Sequence, residues 1–136
     1  MSKLLNVKAG VFLDYVEERV TRSQFTDGGS TAGTYTMKVQ IPIGAQVIAA
    51  LVTGVSGFIG DTSATLVIGD GSDADRYNTG TPSVFATAAM VAMGAPSGTL
   101  VHTAAIKPVL TVTSASDFTA VTAGAMTIRI IYWLGG

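Results

Sequence analysis

Polar and apolar residues alternate without a slip from Thr34 to Ile41. Tyr35, Met37, Val39 and Ile41 share one side of the chain; Thr34, Thr36, Lys38 and Gln40 share the other. A period of two marks a strand with one face in a core. Pro42 and Gly44 stop the run, and a second strand is predicted over residues 46–55. Its faces are Val47, Ala49 and Leu51 on one side, Ile48, Ala50 and Val52 on the other. Neither is polar, whereas an antiparallel strand with one wet side carries polar residues there. Such a strand is either central and covered on both sides, or it meets another subunit. Gly54, Gly57 and Gly60 then predict a turn around Phe58. A third strand, Thr65–Ile68, runs into an acidic corner at residues 69–75. The last strand is the clearest. Met126, Ile128, Ile130, Tyr132 and Leu134 line one face, and Thr127, Arg129, Ile131 and Trp133 line the other. Ile131 and Trp133 repeat the missing polar face.

The segments between are less regular. Residues 1–10 read either as an arm, with Leu4, Leu5 and Val7 as anchors, or as a frayed terminus. In residues 11–22, Phe12, Val16 and Val20 have helical spacing, but Val11, Leu13 and Tyr15 alternate and β-formers dominate, so a strand is predicted. Glu17 and Glu18 fall on opposite faces of that strand and cannot form a catalytic pair; they read as a solvated edge. Residues 24–33 are a loop by composition, without the Gly-Lys-Ser/Thr that a phosphate cradle needs. Thr81-Pro82-Ser83 would cap and open a short helix through Met93, and a pair of short strands around Phe85 and Val91 is the rival. Met90 and Met93 read as core filler. Residues 100–113 form a strand pair or one bent strand, with Pro108 at an edge or bulge, Leu110 and Val112 inward and Thr111 and Thr113 outward. The residues alone therefore give an all-β chain folded as an antiparallel β-sandwich. It is a single domain, with an arm and first strand and loop over 1–33 and the body over 34–136.

Composition sharpens this. A chain of 136 residues is long enough for one real core. Only 12% of it is charged, about half the usual share, and net charge is −1. From Val39 onward the basic residues are Arg76, Lys107 and Arg129 alone, and the acidic ones are Asp61, Asp70, Asp73, Asp75 and Asp117. A free monomer carries more charge than this on its surface. A Thr/Ser/Gly surface would explain it, but we favour cover by further copies or by a partner. The residues singled out for that contact are Leu4, Leu5, Ile48, Val52, Ile131 and Trp133. With no cysteine, disulfides and thiolate metal sites are excluded. No apolar run reaches the ~18 residues of a membrane span, and none near the start suits a signal peptide. The expectation is a soluble protein made in the cytoplasm.

Catalytic chemistry finds little footing. The single histidine, His102, lies in a predicted Val-His-Thr strand with no acid beside it, which suits a hydrogen-bonded residue rather than a base or ligand. Gly-x-Ser-x-Gly does not occur. Asp70, Ser72, Asp73 and Asp75 supply oxygens that a calcium ion would accept, but the full loop pattern is missing, and Asp and Gly are the default turn-formers. A structural turn, with Arg76 paired to an aspartate, is preferred. A hydrolase built on two of the aspartates has no sequence feature selecting the pair, so no enzyme and no cofactor are expected. Net charge and scattered aromatics give nucleic acid and membranes no purchase. A carbohydrate-binding tail or fibre module would need an aromatic platform, and Trp133 with Tyr132 or Tyr77 is its candidate.

Ile41-Pro-Ile-Gly44, the Val47–Val52 strand, residues 66–77 and the terminal Ile128-Arg-Ile-Ile-Tyr-Trp strand together resemble small virion proteins of tailed bacteriophages, in particular jelly-roll decoration (cement) or head-fibre proteins. The likeness spans roughly Thr34 to the end and carries no catalytic residue with it. It implies two packed antiparallel sheets in a jelly roll. It also implies assembly into homotrimers, attachment to the major capsid protein, and a place on the outer capsid surface of the virion. The expected activity is mechanical: apolar sheet faces associate, and the oligomer bridges capsid subunits.

Overall fold

β-Branched and aromatic residues in period two condense into strands that cover each other face to face. The computed structural model describes residues 5–8, 11–78, 80–86, 90–91, 93, 95–96 and 101–135. Its strands are β1 (Leu5–Lys8), β2 (Val11–Thr21), β3 (Thr26–Asp27), β4 (Ala32–Thr36), β5 (Ala45–Ile59), β6 (Ala64–Gly69), β7 (Met90–Val91), β8 (Val109–Ser114) and β9 (Ala123–Gly135). One sheet runs β1-β2-β9-β5-β7 and the other β3-β4-β8-β6. From β4 onward each strand lies in the opposite sheet from the one before, and the long β2 pairs with the last strand, β9. Residues 82–84 lie along β6, with the Leu66 amide on the Pro82 carbonyl at 3.0 Å and the Val84 amide on the Ala64 carbonyl at 2.8 Å. This is an all-β sandwich with jelly-roll connectivity.

The core lies between the sheets. Val52, Met126, Ile128 and Ile130 meet Leu66, Ile68, Leu110 and Val112, all essentially without solvent exposure. One end is closed by three phenylalanines, with Phe25 6.0 Å from both Phe58 and Phe118. Met93 is buried, as a filler should be.

Several expectations change on contact with the fold. The alternation of Thr34–Ile41 holds side chain by side chain, but the ladder ends at Thr36. Pro108 opposite has no N–H to give; its carbonyl accepts the Met37 amide at 2.8 Å, and pairing resumes only at Ile41 with Ile106. In β5 the register shifts between Val47 and Ala49, so Ile48 and Ala49 both oppose Ile131. That extra residue reverses the parity of the residues up to the next register shift, after Thr53. Val47, Ala50 and Val52 therefore point into the core and Leu51 points out, contrary to the two faces expected of this strand.

The glycine-rich stretch is not a turn. β5 runs on to Ile59, with Gly54 in the left-handed region at φ +58° beside a register shift. At Gly57 an added Cβ would fall 0.6 Å from the Ala86 carbonyl oxygen, so the bare backbone admits residues 84–86 against the strand. The helix considered over 81–93 does not form. Ser83 and Phe85 bridge to Thr65 and Phe58, and β7 pairs with Val52 and Thr53, which answers to the rival reading of short strands. The rest of that segment, 87–89 and 92, lies outside the described residues. His102 is in a loop, not a strand. Finally, β2 pairs with β9 over eleven residues, so residues 11–21 are part of the sandwich itself.

Candidate association face

Because β2, β9 and β5 pair in register, their outward side chains form rows. Leu13, Trp133 and Gln46 make one; Tyr15, Ile131 and the Ile48–Ala49 bulge make the next. Glu17, Arg129 and Leu51 follow, then Arg19, Thr127 and Thr53. The first two rows are almost wholly apolar, and Leu51 beside them is 43% exposed. Ile43 and Val101, 64% and 54% exposed, belong to the same end, where the Gly44 amide bonds the His102 carbonyl at 2.8 Å. The other end of the face is polar and its charges are satisfied internally. Arg129 meets Glu17 at 2.8 Å and lies 4.4 Å above the Tyr15 ring. Arg19 donates to the Gly54 carbonyl at 2.7 Å and to Thr127 Oγ1 at 3.2 Å. An exposed pair such as Arg129–Glu17 adds about 0–1 kcal/mol, so these contacts organise the face more than they stabilise it.

Of the residues singled out for contact, Ile48, Ile131 and Trp133 lie together on this face. Val52 does not: the bulge turns it inward, 1% exposed. Leu5 lies on β1 beside Leu13, and Leu4 is outside the described residues. Leu13 and Tyr15 complete the patch and were missed. Their alternation was visible, but nothing in the sequence said that β2 would lie beside β9.

No family model and no curated protein matches the chain. Among solved structures, a chain of the cyanophage Pam1 capsid asymmetric unit is similar, at a TM-score of 0.56 and 20% identity. The match covers 92% of this chain and 86% of that one. The likeness is one of fold. It takes in more than residues 34–136 could supply, as the place of β2 in the sheet requires.

The remaining candidates resolve into structure. Glu18 is no solvated edge residue. Its Oε1 accepts the Lys38 amide at 2.8 Å and the Val39 amide at 3.3 Å, and its Oε2 accepts the Tyr35 hydroxyl. Burial and that carboxylate push the phenol up to about 12. The acidic corner is a turn: Asp70 Oδ1 accepts the Ser72 and Asp73 amides, and Oδ2 meets Arg76 Nε at 3.1 Å. Burial raises the Asp70 carboxyl, but these amides and Arg76 together hold it below the usual range. Asp61 and Asp117 cap chain turns, bonding the amides of Ser116 and Thr119. These carboxylates are all engaged by backbone amides. Tyr132 and Tyr77 are both buried, so neither shares a platform with Trp133.

Proposed function

We propose that the chain is a non-enzymatic virion structural protein, a decoration or cement protein of a phage capsid. It associates into homotrimers and bridges subunits of the major capsid protein on the outer surface. The reading rests on one conjunction: a jelly roll similar to a chain of a phage capsid unit, with an outer sheet face half of which is Leu13, Tyr15, Ile48, Ile131 and Trp133. Burying an apolar side chain of this size from full exposure contributes about 1.5–3 kcal/mol, and these half-buried residues each contribute part of that. A patch of five thus supplies an association energy that the internally paired charges at the other end do not oppose.

The test is made on particles. Virions purified on a gradient and dissociated into heads and tails are probed for this chain. It should travel with heads, and Ile131→Glu should leave it folded but absent from them. Recovery with tails alone would transfer the role to a fibre, and recovery with neither would end the virion reading.

A further inference from the structure

The acidic corner and the loop 101–106 border a cavity of about 190 Å³. Its walls are aliphatic, from Val47, Val101 and Ile106, and its polar side is Asp70, Arg76, Tyr77 and His102. In a chain with one histidine and few charges, this is a concentration of polar chemistry. The volume corresponds to about six waters at their liquid share of ~30 Å³ each, well below a drug-sized ligand.

The polar groups are organised so that none presents a net charge. The Arg76 guanidinium is offset by Asp70 at 3.1 Å and Asp73 at 3.9 Å. Tyr77 is buried and its hydroxyl lies 2.5 Å from His102 Nε2. Burial raises the phenol's pKa and lowers the imidazole's, with Asp70 and Arg76 as the charged groups that face both. Both rings are neutral near pH 7. Taking the phenol as the donor to Nε2 places the imidazole proton on Nδ1. The corner's ion pair runs through Arg76 Nε, leaving the Nη groups as donors. The cavity thus offers donors from Arg76 and His102 and acceptors from Tyr77 and Asp70, between aliphatic walls and without an ionic bias. An anion would face Asp70, and a cation would face Arg76. Hydroxyl groups, which both donate and accept, fit such a set, and the C–H faces of a ring suit its walls.

We propose that this cavity binds a neutral polyol of one sugar ring, held by Arg76, Tyr77 and His102. The site is independent of the capsid reading and could act on any particle surface or in the free protein. Because His102 is the sole histidine, its ring nitrogens are a unique NMR reporter of the cavity. Methyl glucoside and methyl galactoside are titrated into the intact protein, with acetate and methylammonium as ionic probes. The expected result is a saturable shift of the His102 ring with at least one glycoside, at millimolar affinity, and none with either ion. Tyr77→Phe, which keeps the ring, should weaken that affinity about fivefold to tenfold through one lost hydrogen bond, with the backbone amide spectrum otherwise intact. Should that variant fail to fold, Arg76→Met is held to the same expectation. No saturation by either glycoside up to about 100 mM, equal response to an ion, or unchanged affinity in the folded variant would overturn the proposal and leave the cavity to water.

Discussion

Replacing Glu18 with alanine isolates a cross-link that holds the 35–39 segment against β2. The wild-type carboxylate accepts two backbone amides and one phenol. A hydrogen bond to a charged group contributes ~1.5–3 kcal/mol when screened from water. Here the Lys38 amide is exposed, and water replaces much of its partner. The Val39 contact is long, at 3.3 Å, and counts for less. Discounting both, and counting the half-buried Tyr35 phenol at ~1–1.5 kcal/mol, the loss sums to about 2–3 kcal/mol. For a domain of this size that lowers Tm by about 6–12 °C. Urea unfolding of Glu18→Ala, Tyr35→Phe and the double variant, at one protein concentration, measures both the total and the coupling. The coupling between the two side chains should be about 1 kcal/mol. A total loss below ~0.5 kcal/mol, the range of an ordinary surface substitution, would mean that Glu18 is the solvated residue its sequence context suggests.

Three further outcomes follow from the same contacts. Gly57→Ala places a methyl on the Ala86 carbonyl and should destabilise by at least ~2–3 kcal/mol in urea unfolding, whereas Gly29→Ala, where a Cβ meets nothing within 4 Å but φ is +86°, should cost only ~1 kcal/mol. His102 is a base whose folded pKa is depressed, chiefly by burial, so between that value and the unfolded ~6.5 the unfolded chain binds more protons. Stability is therefore full above pH ~6.5 and falls as pH drops through the folded pKa; ring NMR should place His102 below 6.5, and His102→Gln should flatten that part of the stability profile. Trp133→Ala, on an outer face, should change the monomer's Tm by no more than ~2 °C while weakening self-association at least tenfold, read by sedimentation.

What the sequence disclosed and what it withheld divide along physical lines. Inward and outward positions in β4, β8 and β9 follow strict alternation, because a flat ladder maps period two onto two faces. The same inference failed in β5, because one inserted residue at Ile48 reverses parity and leaves no trace in an all-apolar run. Gly54 and Gly57 were legible as special backbone, but a bulge and a close approach share their signature with a turn. The helix over 81–93 was a propensity argument, overridden where Ser83 and Phe85 bridge to β6 and β5. Ile131 and Trp133 could be named for the association face because their own strand showed them. Leu13 and Tyr15 could not, since their membership depends on a partner strand more than a hundred residues away. For the same reason the Tyr77–His102 pair, 25 residues apart across a loop, had no local signal.

Sedimentation velocity from about 1 to 50 μM, a range in which a patch of several buried apolar side chains should hold copies together, bears most directly on the association face. The expected species has three times the 13.9 kDa chain mass, and Ile131→Glu should return it to one. A wild-type chain that stays monomeric across that range would contradict the claim that this sheet face exists to be covered.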